Sequence, residues 1–140
     1  MNSDQTNDLS KALAEAQAEF PPIPKTKEGK VSGQSKKSGQ DYEFSYQYAD
    51  LADVLSAVRP VLSKHGLAVA QLTEVDEASV MYVRTRLMHE SGQWLDSAYP
   101  VCSINADHQK LGGALTSARR YSLCSLLGVA AEDDLDGQSA

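Results

Sequence analysis

Cysteine is scarce in this sequence, and so are the residue clusters that enzymes build around it. Only Cys102 and Cys124 occur. Both sit among apolar neighbours without paired spacing, the pattern of free, buried thiols in a reducing cytoplasm rather than of a disulfide frame. No apolar run approaches the roughly 18 residues that a membrane helix needs. The opening MNSDQTNDLS is polar and slightly acidic, so neither a membrane span nor a signal peptide is expected. A P-loop and a GxGxxG are missing as well, which argues against ATP hydrolysis. His65, His89 and His108 fall on separate elements, and none stands beside a Ser or Cys in a recognised nucleophile setting. Taken by count, Cys102, His108, Cys124 and His89 could surround a zinc ion, but their spacing matches no compact zinc pattern. The sequence therefore predicts no catalytic residue, no metal and no cofactor: a protein that works by binding rather than by catalysis.

The chain has 140 residues, 41% of them hydrophobic, enough for one domain with flexible ends. Its net charge of -6 is sorted into blocks. Residues 21–40 carry Lys25, Lys27, Lys30, Lys36 and Lys37 against the single acid Glu28, while the end carries Glu132, Asp133, Asp134 and Asp136 with no base. A ligand feels only the field within about 8 Å at physiological salt. The net charge thus neither excludes nor suggests a nucleic-acid partner.

Residues 1–20 are expected to hold a short helix from 9 to 20. Leu9, Leu13, Ala16 and Phe20 lie along one stripe, Asp8 serves as N-cap and Pro21-Pro22 ends it. Such a helix is too short to stand alone and must dock, on its own domain or on a neighbouring subunit. Residues 21–41, rich in Pro, Gly, Ser and Lys, read as a basic flexible linker or loop. It is either merely solvated or an arm that gathers phosphates.

Residues 42–131 read as the core domain. Tyr42, Phe44, Tyr46 and Tyr48 share one parity, so a strand presents them on one face, either toward the core or as a stacking platform for bases. A helix over 51–65 follows, with Leu51, Val54, Leu55, Val58, Val61 and Leu62 as its apolar face, Asp50 as cap and Gly66 as its stop. Pro60 lies on its polar side and is expected to bend it. Three strands are then predicted at 67–73, 80–88 and 94–101. In the middle one Met81, Val83, Thr85 and Leu87 take one face, while Tyr82, Arg84, Arg86 and Met88 take the other. A long helix over 108–127 completes the domain, capped by Asp107 and closed by Gly128, with Leu111, Leu115, Ala118, Ser122 and Leu126 on its buried side. Gly112 and Gly113 cost that helix about 1 kcal/mol each relative to Ala, which suggests that another backbone comes close. Residues 132–140 read as a disordered acidic tail. The fold class is α+β: an N-terminal helix, a strand-helix unit, then a three-stranded antiparallel meander followed by a long helix.

Arg119 and Arg120 stand about 100° apart around the last helix, so both cannot enter one core. One could clamp a phosphate while the other pairs with an acid in the domain or the next subunit. Arg84 and Arg86 are further candidates for phosphate, although Arg84 could equally pair with Glu74 or Asp96 across the sheet.

The series Ala12 to Gln17 with Phe20 to Lys25, then Tyr46 to Leu51, Val58 to Leu62 and His65 to Leu67, resembles the ERF family of phage recombination proteins. The segment Gly112 to Leu123, followed by Gly128 to Asp134, is similar to that family's signature helix. The likeness covers nearly the whole chain in order, and the family pattern maps onto Tyr46, Tyr48, Asp50, Gly112, Ala118, Arg119, Arg120 and Tyr121. Gly113 and Ser117 depart from the Ser and Tyr more usual at those places. Some relatives also continue past the Glu-Asp-Asp segment, so a C-terminal partner-binding region is expected to be missing. More distantly the family resembles the Redβ/RecT and Rad-fifty-two annealing proteins. The resemblance implies a β-β-β-α annealing core assembled into rings or filaments in the cytoplasm of a bacterial host. It further implies ATP-independent binding and annealing of single-stranded DNA, with a phage exonuclease or a host single-strand-binding protein as further partners. A passive single-strand coating protein is the alternative. Lys110, Arg119, Arg120 and Tyr121 on the last helix, Arg84 and Arg86 on the middle strand, Tyr46 and Tyr48, and Lys25 and Lys27 are then the expected DNA contacts.

Overall fold

Reciprocal capping fixes the start of the central helix. The Asp50 carboxylate accepts the Asp53 N–H at 2.8 Å, and the Asp53 carboxylate accepts the Asp50 N–H at 3.2 Å, satisfying two amide donors that a helix start leaves open. In the computed structural model, which describes residues 1–132, this helix is the second of three. The elements run α1 (Asn7–Glu19), β1 (Lys27–Gln34), β2 (Asp41–Tyr48), α2 (Leu51–Lys64), β3 (Leu67–Val75), β4 (Val80–His89), β5 (Trp94–Ser103) and α3 (His108–Leu127). The fold is the expected α+β arrangement, with an antiparallel sheet ordered β3-β4-β5 and a long helix after it. No helix among the described residues is long and apolar enough to cross a membrane.

Residue parity decides what the sheet buries. Val83, Thr85 and Leu87 on β4 are at most 1% exposed and face the helices. The same core holds Leu9, Ala12 and Ala16 of α1, Val54, Val58 and Leu62 of α2, and Leu123 and Leu127 of α3. Each fully buried leucine contributes about 1.5–3 kcal/mol by leaving water. The alternate β4 residues, Tyr82, Arg84, Arg86 and Met88, lie on the sheet's other face beside Leu72, Glu74, Trp94, Asp96 and Ala98 of the flanking strands.

Three expectations are corrected. Helix α1 starts at Asn7, its N-cap position is Thr6 without a side-chain cap bond, and Asp8 lies inside its first turn. It docks on its own domain: the Gln17 side-chain amide donates to the Leu127 carbonyl at 3.1 Å, and the Leu9 N–H donates to the Gln93 side chain at 2.9 Å. Residues 27–34, expected within a flexible linker, instead form β1, paired along its length with β2 in register Gly29↔Tyr46, Val31↔Phe44 and Gly33↔Tyr42. The buried face of α3 is Ala118, Ser122, Leu123 and Leu127, while Leu111, Leu115 and Leu126 stay half-buried. The first half of α3 has no buried residue, and a Cβ at Gly112 or Gly113 would meet nothing within 4 Å. The backbone expected against these glycines is not supplied by the described residues.

The expected tail begins at Glu132, yet Glu132 forms an antiparallel bridge with Tyr48, and the Ala49 N–H donates to the Ala131 carbonyl at 2.8 Å. Residues 133–140 lie outside the described residues.

Candidate nucleic-acid interface

The cationic side chains divide into those already paired and those left open. Arg84 donates from Nε to Glu74 at 2.5 and 3.2 Å and from Nη1 to Asp96 Oδ1 at 3.1 Å. Arg86 donates from Nε and Nη2 to Asp96 Oδ2 at 2.9 and 2.7 Å, with its guanidinium 4.0 Å from the centre of the Trp94 ring. Asp96 is 3% exposed. Burial pushes its carboxyl up, but the hydrogen bonds and charges of Arg86 and Arg84 outweigh burial and hold it below the usual carboxylate range. Glu74 first, and Asp96 after it, raise Arg84 in turn. The two strand arginines thus share a clamp on one buried carboxylate, and each ionised partner reduces the positive field left for a phosphate.

Arg120 is also engaged. Its Nη2 donates to Glu132 at 2.7 Å, and its guanidinium lies 4.7 Å from the centre of the Tyr48 ring and 5.1 Å from that of Tyr121. Lys27 lies 3.7 Å from Asp50 and 3.5 Å from Asp53 at the start of α2. By contrast, the side chains of Arg119, Lys110 and Lys25 have no hydrogen-bond or ion-pair partner among the described residues. The Arg119 carbonyl accepts the Gln71 side chain at 2.9 Å, which pins that turn of α3 to β3 while the guanidinium stays open. Lys110 gives its backbone N–H to the Asp107 cap at 2.9 Å, so its position at the start of α3 is fixed by the cap.

The aromatic candidates fall in two places. On the ribbon of β1 and β2, the Tyr46 and Tyr48 rings lie 5.9 Å apart, and the Tyr42 and Phe44 rings are stacked at 6.3 Å. All four are half-buried on one face. The Tyr46 ring lies directly over Gly29 and the Tyr42 ring over Gly33, where a Cβ would collide with them. This arrangement explains why β1 needs glycine opposite its aromatic partners. Tyr121, on α3, is 41% exposed, and Tyr99 on β5, which sequence reasoning did not single out, is 42% exposed. Its pairing opposite Val83, like that of Ser97 opposite Thr85 and Leu95 opposite Leu87, puts Tyr99 on the helix side of the sheet. Its exposure comes from the path of α3, which no local pattern specifies. Glu132 was likewise missed as the partner of Arg120, because it opens an acidic run that reads as a solvated tail.

The ten expected contacts therefore do not form one patch. Arg119, Lys110 and Tyr121 share α3, with Lys110 and Tyr121 on one side of the helix and Arg119 on the other. Tyr46 and Tyr48 lie on the ribbon, and Arg120 joins the two elements by its contact with the Tyr48 ring. Arg84 and Arg86 occupy the opposite face of the sheet. Among the described residues there is no group of three or more His, Cys, Asp or Glu placed to hold a metal ion. The sequence model of the ERF superfamily matches residues 9–140. No curated protein and no solved structure matches the chain.

Proposed function

Because the chain belongs to the ERF superfamily, we propose that it binds single-stranded DNA and promotes the annealing of complementary strands, without ATP and as a homo-oligomer. The observation that carries this reading is α3 itself: an open Arg119 guanidinium, Lys110 and the exposed Tyr121 lie on one helix whose first half has no fully buried residue. A cation of this kind holds phosphates without reading sequence, and an aromatic ring stacks on any base. Pairing itself releases roughly 1.4 kcal/mol per base-pair step. The protein has only to offset strand repulsion and align the strands, and no hydrolysis is needed.

The engaged arginines take a different part in this proposal. Arg84, Arg86 and Arg120 hold the fold, and Arg119 with Lys110 carries the phosphate contact. Lys25 and the ribbon tyrosines are the outlying part of the same surface. Assembly seats a neighbouring copy on the glycine side of the first half of α3, at the exposed Gly112 and Gly113. A phage exonuclease or a host single-strand-binding protein is the further partner class for such an activity in a bacterial cytoplasm.

Mixing the protein with two complementary labelled oligonucleotides, without ATP and across a salt series, tests the proposal. Pairing faster than in free solution at low salt, fading as salt rises, supports it. Binding without acceleration favours a passive coating protein, and no binding at any salt removes the DNA reading.

A further inference from the structure

A cleft of about 450 Å³ lies beside the last turns of α3, lined by Tyr99, Arg120, Tyr121, Cys124, Ser125 and the segment from Val129 to Glu132. We propose that this cleft takes one unstacked nucleobase of the bound strand, with Tyr99 and Tyr121 supplying the stacking surfaces. The proposal rests on the single-strand DNA reading above and adds to it a base-binding subsite that phosphate contacts alone do not require.

Three observations support the assignment. The first is exposure: two large aromatic rings, from β5 and from α3, remain 42% and 41% exposed while lining one cleft. A tyrosine that serves only the core is covered by its own fold, whereas these two keep a large part of their surface open.

The second is the support behind Tyr121. The Arg120 guanidinium, 5.1 Å from the centre of that ring, is itself held by Glu132 at 2.7 Å and by the Tyr48 ring. The ring is thus seated before a ligand arrives, which reduces the ordering cost on binding. Arg120 acts here as a positioning residue.

The third is the match of polarity. The lining mixes apolar residues (Val129, Ala130 and Ala131) with residues that carry hydrogen-bonding groups (Tyr99, Tyr121, Ser125, and Arg120 with its partner Glu132). A base has apolar faces and a hydrogen-bonding edge, so it can satisfy both. An aliphatic side chain from a neighbouring subunit would match the apolar part of the lining and offer the tyrosine and serine hydroxyls no hydrogen bond.

The position fits a strand held at Arg119. Two residues along a helix turn the side chain by about 200°, so Arg119 and Tyr121 flank α3 on opposite sides. A strand crossing the outer surface of the helix leaves a phosphate near Arg119 and delivers a base to Tyr121.

The test compares a short oligothymidylate with a strand of equal length made of abasic deoxyribose phosphates, using the full chain and its Tyr99→Leu, Tyr121→Leu, Tyr99→Phe and Tyr121→Phe variants. Sedimentation is run on each protein. The proposal expects each leucine variant to bind oligothymidylate about ten-fold more weakly, the scale of one lost stacking contact. It expects each phenylalanine variant to keep most of the affinity, and the abasic strand to bind all five proteins alike. If the leucine variants bind oligothymidylate as the parent does, with its salt dependence intact, the base subsite is wrong and the DNA reading stands. If the parent binds neither strand, the DNA reading itself fails. If the leucine variants lose assembly and bind both strands equally poorly, the cleft is a subunit contact and the proposal is overturned.

Discussion

The Arg120 guanidinium stands 2.7 Å from the Glu132 carboxylate while covering the Tyr48 ring, so one side chain of α3 holds the segment after the helix against the strand before α2. Arg120 is 11% exposed on its side chain, and its Nε is buried without a hydrogen-bond acceptor among the described residues. Most of its net effect therefore comes from the ion pair and the ring contact. Removing it exposes the Tyr48 face and leaves Glu132 without its cation. Arg120→Ala is expected to destabilise the protein by about 2–4 kcal/mol, and Glu132→Gln, which keeps the shape and one hydrogen bond, by about 1 kcal/mol. Urea unfolding checks both. An Arg120→Ala protein as stable as the parent would show that the clamp holds nothing.

Arg119, one residue earlier, gives the opposite expectation. Its guanidinium has no partner among the described residues, so Arg119→Ala should change stability by less than about 0.5 kcal/mol. Its loss should instead weaken single-strand binding and lower the slope of log affinity against log salt by about 0.7, the value for one phosphate contact on a single strand. Fluorescence anisotropy across a salt series measures both quantities at once. Arg84→Ala serves as the contrast: it should lower stability by releasing Glu74 and leaving Asp96 with Arg86 as its one arginine, with no change in the salt slope. A reversal of the two results would place the phosphate contact on the sheet face instead of α3.

Asp96 predicts a dependence on pH. Its folded-state pKa is lowered, so the stability it contributes is present above the unfolded carboxylate pKa of about 3.9 and is lost as pH falls through the lower folded value. Asp96→Asn leaves Arg84 and Arg86 facing each other over a neutral amide. The variant should be clearly less stable than the parent near pH 7, and the gap should narrow as the pH is taken well below 4. Urea melts at neutral and acidic pH decide the matter; a gap that is constant with pH would mean that shape, not charge, makes Asp96 important.

The elements legible in the sequence are those whose signals are local. The Asp50 cap, the apolar face of α2 and the αL residue Gly128 (φ 73°) after α3 are written in neighbouring residues, and period-two alternation located β3, β4 and β5 within two residues of their ends. Strand β1 was hidden because KEGKVSGQ has no apolar alternation of its own. Its order comes from β2, whose aromatic rings lie over Gly29 and Gly33, and from pairing that only the folded chain supplies. The site was legible in residue type more than in role. Arg84 and Arg86 could be placed on one strand face by parity, but their joint hold on Asp96 depends on strand register, as does Arg120's hold on Glu132 on the return of the chain past α3. Charge pairing is a long-range property, and a helical wheel does not contain it.

Gly112 and Gly113 give a test of assembly that begins from helix chemistry alone. Both have ordinary helical geometry, and both could accept a methyl group without touching anything within 4 Å. In a solvated helix, replacing Gly by Ala should stabilise by about 0.5–1 kcal/mol, because the unfolded chain loses freedom and the helix gains a better former. Gly112→Ala and Gly113→Ala should therefore each raise the melting temperature of the protein when it is dilute enough to be monomeric. If a neighbouring copy seats its backbone against this half of α3, the same methyl groups must hold the two chains apart. Sedimentation at higher concentration should then show weaker assembly in the variants that melt later. More stable variants that assemble as well as the parent would place the subunit contact elsewhere and leave the paired glycines without an account in packing.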